Sequence, residues 1–482
     1  MPSGARKTIR ERKGRPVTNS PSTLPYDSAT LRQAALDHLW MPFTASPSFS
    51  EAGGPPILVK GEGVRVQDID GKWYLDGIGA MEACAVGHHR QELIDAAVAQ
   101  YQELEFVDTF RFASLPAIQL AEKIAHLAPG SLNKVFFSPG GSEAVETALK
   151  IARQYHYLKG EPHRSKVISR YGAFHGVTYG VMAVDGQYSG TRNFMFEPFP
   201  TFGRFVQPPY HYRCRFCSDK PQCTLDCARD IEYLIQRERP ETISAVLMDP
   251  VNVAIGVAIP PAEYMPMVRE ICDRYGVLLI ADEVISGFGR TGKMFCVENW
   301  GVVPDIMTLS KAITSGYAPL GATVVKQEIA DAFSGSDLAT FRHGQTFSGH
   351  PVACAIALKN IEIIEREDLI GRAAEMGPYL LNGLKSLEPH PSFGDARGLG
   401  LVGGLEVVLD KKTRAVTDPP TQLGLALRAL TRKHGLIALN VHPGNVMFVT
   451  PPLTITHEEI DEMIDKFDRA LTDLEEQFDI RG

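Results

Sequence analysis

The stretch V-L-L-I-A-D-E-V, residues 277–284, decides the fold class. Its first five residues form a continuous apolar run, which is typical of a strand buried on both faces of a parallel sheet. The run ends in two carboxylates, Asp282 and Glu283, and a buried acid is costly unless it is paired or hydrogen-bonded. The stretch therefore predicts a central strand, and it predicts that Asp282 has a specific partner.

Working outward from this strand, short apolar runs alternate with helical patterns from about residue 90 onward. The runs that predict further strands are N-K-V-F-F-S (133–138), S-K-V-I-S-R (165–170), S-A-V-L-M-D-P (244–250) and D-I-M-T-L-S-K (305–311). The segments that predict helices begin at Gln91, Gly141, His350 and His457. Strands separated by helices indicate an α/β fold with a mainly parallel sheet covered on both faces.

The division of the chain is predicted from these patterns. Residues 57–77 alternate apolar and polar side chains around an Asp-Gly turn, which predicts a hairpin. Mixed strands and the helix predicted over 457–477 indicate a smaller α/β domain near the C-terminus. The predicted divisions are an N-terminal arm (1–30), the first part of a small domain (31–75), a large domain (76–335) and the rest of the small domain (336–482).

Bulk properties exclude several classes of partner. The net charge of −8 over 482 residues offers no basic surface for nucleic acid or anionic lipid. No apolar run approaches the ~20 residues that span a bilayer, and the basic N-terminus lacks the apolar core of a secretory signal. The spacing of the eight cysteines does not resemble a disulfide framework, so we expect a reducing compartment and a cytoplasmic protein.

Four polar features fall where predicted strands end: Gly140-Gly141-Ser142, Asp249, Asp282 and Lys311. Ligands of parallel sheets bind outside the carboxyl ends of the strands. The glycines and the serine lie at the start of a predicted helix, whose free N–H groups can bind phosphate. An ordinary strand–helix turn with a serine N-cap would have the same sequence pattern. Lys311 lies 29 positions after Asp282, which is close to the ~30 residues of one βαβ unit, so both could reach one crevice.

A lysine, a carboxylate and a phosphate cradle on one sheet edge indicate pyridoxal phosphate. The lysine would hold the cofactor covalently, and the acid would keep the ring nitrogen protonated so that the ring acts as an electron sink. Under this hypothesis, the partner of Asp282 is the ring nitrogen.

Several longer blocks of the chain resemble class III, omega-type aminotransferases. These are L-L-I-A-D-E-V-I-S-G-F-G-R-T-G-K-M-F (278–295), P-D-I-M-T-L-S-K-A-I-T-S-G (304–316), S-P-G-G-S-E-A-V-E-T-A-L-K-I-A-R (138–153), A-F-H-G-V-T (173–178) and T-F-S-G-H-P-V-A-C-A (346–355). The resemblance covers about residues 35–470. It implies fold type I, with a large sheet of the seven-stranded type, and a homodimer or dimer of dimers with active sites shared between subunits.

The resemblance also implies roles for individual residues. Lys311 is the Schiff-base and proton-shuttling lysine, and Asp282 pairs with the ring nitrogen. Val284 packs on one face of the ring. Gly141 and Ser142 bind the phosphate.

Further cofactor contacts come from the same resemblance. Phe174 stands where family members usually carry a stacking tyrosine, with ordinary core packing as the alternative. His175, adjacent to it, is assigned to the cofactor site, with a structural role as the alternative. Asp249 and Asn252 are each one methylene shorter than the family's residues, and we expect Asn252 near the ring hydroxyl. Thr346 is expected to complete the phosphate site of the neighbouring subunit.

The substrate pocket departs from the family pattern. Glu82 stands where related enzymes often carry a tryptophan, and the arginine that many members place before P-P-L is absent, leaving His442 and Asn440 as the nearest polar residues. We therefore expect a neutral or cationic amine as donor, unless Glu82 points to solvent or caps a helix. Trp40, in H-L-W-M-P-F, is expected to line the substrate mouth.

The predicted activity is a pyridoxal phosphate-dependent omega-aminotransferase that moves an amino group from a primary amine or omega-amino acid to a keto acid such as pyruvate. The alternatives within the same cofactor class are an ammonia-lyase, a decarboxylating aminotransferase and a racemase. A binding or scaffold protein would not need Lys311 and Asp282, and both are present.

Two further motifs carry weaker alternatives. The cysteines 214, 217, 223 and 227 have the spacing C-x2-C-x5-C-x3-C, which could hold structural zinc, but we assign no metal site. The segment G-F-G-R-T-G (287–292) matches the dinucleotide fingerprint formally. The next residues, K-M-F-C-V-E-N-W-G (293–301), make a poor phosphate-facing helix, so we reject a nicotinamide dehydrogenase.

Overall fold

The structure is a computed structural model that describes residues 27–44, 53–188, 196, 198 and 200–481. The chain divides into two compact units, one formed by residues 1–59 with 68–71 and the other by residues 60–67 with 72–482. Most of the predicted N-terminal arm lies outside the described residues.

The strands of the structure, in chain order, are β1 (Leu58–Glu62), β2 (Arg65–Asp68), β3 (Trp73–Asp76), β4 (Leu132–Ser138), β5 (Lys166–Arg170), β6 (Gly203–Val206), β7 (Ile243–Met248), β8 (Leu278–Asp282), β9 (Ile306–Leu309), β10 (Gly321–Lys326), β11 (Phe393–Leu399), β12 (Val402–Val407), β13 (Leu436–Ile437), β14 (Leu439–Val441) and β15 (Val446–Val449). The helices are α1 (Ser28–His38), α2 (Gln91–Glu103), α3 (Leu115–Leu127), α4 (Gly141–Leu158), α5 (Tyr179–Met182), α6 (Asp226–Glu238), α7 (Tyr264–Tyr275), α8 (Gln327–Asp331), α9 (Pro351–Arg366), α10 (Leu369–Lys385), α11 (Thr421–Lys433) and α12 (His457–Phe478).

The largest sheet of the described chain has seven strands in the order β4-β10-β9-β8-β7-β5-β6. The strands β5 to β9 pair in parallel, whereas β10 runs antiparallel to both of its neighbours. The predicted α/β class with a mainly parallel sheet is therefore confirmed, and β8 lies at its centre, as the sequence 277–284 indicated.

The central strand β8 is buried on both faces, which explains its unbroken apolar run. Leu278 and Ile280 pack into a cluster with residues of α4, such as Val145. The alternate residues Leu279 and Ala281 pack into the main core together with residues of α7. Because successive side chains of a strand point to opposite faces, this division shows helices on each side of the sheet.

Two smaller sheets complete the second unit. β2 and β3 form the predicted antiparallel hairpin, and β13 joins β3 in parallel. β11, β12, β15 and β14 form an antiparallel sheet against which α10 packs. The predicted C-terminal helix is confirmed as α12, which starts with a capping box between Thr456 and Glu459. The predicted domain boundaries stay a prediction. No helix in the described residues combines the length and the apolar character needed to cross a membrane.

Candidate active site

The carboxyl ends of β8 and β9 bring together the residues that the sequence singled out. Asp282 is the last residue of β8 and lies opposite Thr308 of β9 in the sheet register. Lys311 follows β9 by two residues and begins a short 3-10 turn (Lys311–Ile313). Since the two strands are parallel neighbours, both residues lie at the same edge of the sheet.

Asp282 is buried and has a defined set of partners within the chain. Its Oδ2 lies 2.7 Å from Nδ1 of His175, and its Oδ1 accepts hydrogen bonds from Val284 N and Thr308 Oγ1, both at 3.1 Å. Burial alone would lower the pKa of His175, but the hydrogen bond and the charge of Asp282 raise it overall. Nε2 of His175 is buried and has no hydrogen-bond partner among the described residues. His175 thus fixes Asp282 from within the chain.

The neighbouring acid, Glu283, has a different role. It accepts hydrogen bonds from Ser286 Oγ at 2.6 Å and from Val297 N at 2.8 Å. Burial raises the pKa of Glu283 to about 7. The Glu283 side chain therefore stabilises the turns that come after β8, and its hydrogen bonds are made to those turns and not to Lys311.

The N-terminus of α4 lies where the sequence predicts a phosphate cradle, and the role itself stays a prediction. The helix begins at Gly141, and the residue before it, Gly140, makes no side-chain cap, so the first N–H groups are not used by a cap. A Cβ on Gly141 would lie 3.0 Å from Val284 and 3.6 Å from Ser310. A Cβ here would press tightly on Val284, so the start of α4 lies directly against the residues that adjoin Asp282 and Lys311.

The segment around His175 packs onto the same helix end. Gly176 has a φ of +142°, and a Cβ there would lie 2.6 Å from Ser142 Oγ. Val177 N donates a hydrogen bond to Ser142 Oγ at 3.2 Å. These contacts join the partner of Asp282 to the phosphate cradle, so the site is one connected structure.

Lys311 has a close ionic partner that comes from far away in the sequence. Its Nζ lies 2.5 Å from Oε2 of Glu82, whose side chain is 5% exposed. The alternative that Glu82 points to solvent is therefore wrong. Lys311 has a φ of +48°, which is an unfavourable backbone conformation for a residue with a Cβ.

The loop that carries Glu82 is a left-handed turn. The four residues Gly79, Ala80, Met81 and Glu82 have φ values between 48° and 66°. This conformation costs roughly 1–2 kcal/mol for each residue that has a Cβ. The turn persists because Asp76 accepts hydrogen bonds from Ile78 N at 3.3 Å and from Ala80 N at 2.8 Å.

Asn252 and Asp249 come after β7 at the same sheet edge. Asn252 Oδ1 accepts a hydrogen bond from Ile255 N at 3.1 Å, while its Nδ2 is buried without a partner among the described residues. Asp249 pairs at 2.5 Å with Arg170 at the end of β5. Burial raises the pKa of Asp249, although the charge of Arg170 opposes this. The sequence analysis did not identify Arg170. Its position at the end of the predicted strand 165–170 was the signal that could have identified it.

The remaining predicted residues are more dispersed. Phe174 is half-buried next to His175. Thr346 is exposed in the segment before α9, and Trp40 is exposed in the first unit. The roles given to these residues by the family resemblance stay predictions.

The two weaker motifs can also be located. Among the described residues, all eight cysteines are free thiols, and no group of three or more His, Cys, Asp or Glu is arranged to hold a metal ion. The segment 287–292 lies in turns with no α-helix directly after it, and a Cβ on Gly292 would lie 2.9 Å from Ala374 of α10. Gly292 thus packs closely against α10.

Comparison with known proteins gives a consistent result. Residues 50–471 match the family described as "Aminotransferase class-III". The adenosylmethionine-8-amino-7-oxononanoate aminotransferase of Geobacter sulfurreducens is 38% identical, over 92% of this chain and 98% of that protein. The putrescine–pyruvate aminotransferase of Pseudomonas aeruginosa is 39% identical, over 89% of this chain and 92% of that protein. A crystal structure of an amine transaminase from an uncultivated Pseudomonas species in its PLP-bound form has a TM-score of 0.85 and 38% identity, covering 90% of this chain and 98% of that one.

Proposed function

The chain belongs to the class-III aminotransferases, which are pyridoxal phosphate-dependent transaminases, and we propose on that premise that it moves an amino group from a primary amine or omega-amino acid to a keto acid such as pyruvate. The main support for the proposal is the position of two residues at neighbouring strand ends: Asp282 is the last residue of β8, and Lys311 comes just after β9. Both lie beside the uncapped N-terminus of α4.

The residues at this edge fit pyridoxal phosphate. The N–H groups of Gly141 and Ser142 would hold the phosphate, and Asp282 would accept a hydrogen bond from the ring nitrogen and keep that nitrogen protonated. Nδ2 of Asn252, which has no hydrogen-bond partner within the described part of the chain, is a buried donor that the ring hydroxyl could satisfy. When bound, the cofactor supplies an electron sink for the electrons released at the amine-bearing carbon.

Residues of the chain transfer the substrate proton and supply the negative charge near the ring nitrogen. Lys311 Nζ would hold the cofactor and, once released from it, would carry a proton from the amine-bearing carbon of the donor to the cofactor. His175 keeps the Asp282 carboxylate oriented through its contact at Oδ2. The burial of Asp282 excludes water from the charge that it presents, and this strengthens the electrostatic effect on the ring.

The proposed substrates rest on relatives and on the pocket. Pyruvate is proposed as acceptor because the similar enzyme of Pseudomonas aeruginosa is a putrescine–pyruvate aminotransferase. An amine donor is proposed because Glu82 places a carboxylate at Lys311 and no arginine precedes Pro451-Pro452-Leu453 in the sequence 439–450.

The absorbance spectrum of the purified protein tests this function. We expect a band near the visible edge from the lysine-bound cofactor, its loss when an amine is added without a keto acid, and its return on addition of pyruvate. A band that persists while ammonia is released would identify an ammonia-lyase instead. No band, even after addition of pyridoxal phosphate, would contradict the proposal.

A homodimer with shared sites is part of the proposal, and exposed apolar side chains support it. Phe110 and Phe347 are more than half exposed, and the ring of Phe106 contacts that of Phe347 at 5.5 Å between centroids. Thr346, adjacent to Phe347, is also exposed. A second subunit on this surface would bury the aromatic rings and could receive Thr346 at its phosphate site.

Subunit complementation tests the dimer. Lys311→Ala and Thr346→Glu would each inactivate the homodimer, the second because a carboxylate repels the phosphate. A hybrid isolated by two different tags should regain roughly half the wild-type activity, since one of its two sites is intact. A hybrid that stays inactive, while both parents fold, would contradict a shared site.

The proposed location is the cytoplasm. It is supported by the cysteines, all eight of which are free thiols although several lie close together in the segment 214–227. Such thiols persist in a reducing compartment.

A further inference from the structure

Glu82 is held against Lys311 from both sides of the contact. On its own side, Asp76 fixes the left-handed turn through Ile78 N and Ala80 N, and it also pairs with His88 Nε2 at 2.8 Å. Glu82 N donates to Ile78 O at 2.8 Å. The backbone of Glu82 is therefore fixed by the chain and does not depend on its ion pair with Lys311.

The lysine segment is fastened to the same loop. Ser315 Oγ accepts hydrogen bonds from Ala85 N at 3.1 Å and Val86 N at 3.2 Å, and it donates to Asn360 at 2.6 Å. Tyr317 OH donates to Gly87 O at 3.0 Å. These bonds set the distance between the two segments, so the Glu82 carboxylate stays at the reacting nitrogen when Lys311 changes its bonding.

In the working enzyme this carboxylate would lose its hydrogen-bonded cation, although the charge of the buried Arg290 would still act on it. Lys311 is the one cation hydrogen-bonded to Glu82 in the described structure, and the proposed function commits its nitrogen to the cofactor. A buried carboxylate that loses its partner is strongly destabilised. The group that next arrives at this position in the reaction is the ammonium group of the donor.

We propose that Glu82 is a specificity residue that docks the ammonium group of the amine donor and weakens the binding of substrates with a carboxylate on the reacting carbon, so that α-amino acids are poor donors and pyruvate is accepted at a raised KM. The inference rests on the proposed function and names its donor class, which is primary amines without an α-carboxylate. Two carboxylates close to one nitrogen would repel each other, whereas an ammonium group replaces the lost partner. The strained left-handed turn at residues 79–82 is needed to place Glu82 at this position.

The decisive variant is Glu82→Gln, which keeps the size and removes the charge. In the holoenzyme, kcat/KM for benzylamine should fall by at least about tenfold, while the discrimination against phenylglycine, the same amine with an α-carboxylate, should shrink. The KM for pyruvate should fall, because the acceptor carboxylate is no longer repelled. A structural defect would worsen both half-reactions, so opposite changes distinguish the two explanations.

A binding measurement without turnover completes the test. Benzyltrimethylammonium cannot react, and calorimetry should show that the Glu82→Gln holoenzyme binds it at least about tenfold more weakly than the wild type. Glu82→Asp, which is well tolerated at positive φ, should show an intermediate loss and serves if the Gln variant does not fold. Glu103→Gln, at an exposed carboxylate of α2, should change nothing.

Two results would overturn the inference: cation binding that is equal in wild type and Glu82→Gln, or benzylamine and phenylglycine used in the same ratio by both. Failure of the proposed function would look different, because the cofactor band and all transamination would then be missing from the wild type itself.

Discussion

Replacing Lys311 with alanine is expected to abolish transamination, with kcat reduced by roughly 10⁴-fold or more. Lys311 Nζ is the amine placed at the carboxyl edge of β9, and it is assigned both the bond to the cofactor and the proton transfer at the substrate carbon. An alanine can do neither. The measurement is the rate of pyruvate-dependent transamination, together with the absorbance band of the lysine-bound cofactor, which should be absent.

The loss should be chemical and not a loss of folding. Lys311 has a φ of +48°, but lysine and alanine both carry a Cβ, so the backbone strain is similar in the two proteins. Removing Lys311 does leave the buried Glu82 with no hydrogen-bonded cation, since Arg290 acts on it through charge alone, so thermal unfolding should be measured in parallel. Lys293→Ala, at an exposed lysine, is the matched control. A Lys311→Ala protein with more than a tenth of wild-type activity, at any stability, would contradict the assignment.

Much of the fold could be predicted because its decisive signals are local. The run 277–281 is apolar at every position because β8 is covered on both faces, and a spacing of 29 residues between Asp282 and Lys311 fits one strand–helix–strand unit. Parallel neighbours end at the same edge, so two strand ends and one glycine-containing helix start were enough to indicate the cofactor edge before any contact was known.

The contacts that tune the site could not be predicted in the same way. The pair of Glu82 with Lys311 joins positions 229 residues apart, and it depends on a left-handed turn that includes Ala80 and Met81, whose side chains give no sign of positive φ. The bond between His175 and Asp282 likewise spans 107 residues. A sequence shows that such residues are present, but their distances arise only from tertiary packing.

The hydrogen bonds of Asp282 are a further example of contacts that could not be predicted from the sequence. The sequence indicated that a buried acid at the end of β8 needs a partner, and the ring nitrogen of the cofactor was the partner expected. The structure adds three partners from the chain, His175, Val284 and Thr308. These bonds leave the carboxylate rigid and oriented, which is what a residue needs when it acts on charge in another group.

Replacing Asp282 with asparagine is therefore expected to lower kcat by about 10²- to 10³-fold while the cofactor stays bound. The amide fits the same space, and it can still accept hydrogen bonds from Val284 N and Thr308 Oγ1. It lacks the charge that would keep the ring nitrogen protonated, so the electron sink weakens although Lys311 and the phosphate cradle are unchanged. The measurement pairs the transamination rate with the absorbance that remains after extensive dialysis.

Thr308→Val is the control that distinguishes the effect of the Asp282 charge from the effect of the hydrogen bonds that hold its side chain. It removes the hydroxyl that donates to Asp282 Oδ1 at 3.1 Å and leaves the carboxylate and its contact with His175 in place. Loss of one neutral hydrogen bond, about 1 kcal/mol, should cost less than about tenfold in kcat. If Asp282→Asn and Thr308→Val lose activity to the same extent, the charge of Asp282 is not what the reaction uses, and its role is reduced to holding His175 and the end of β8.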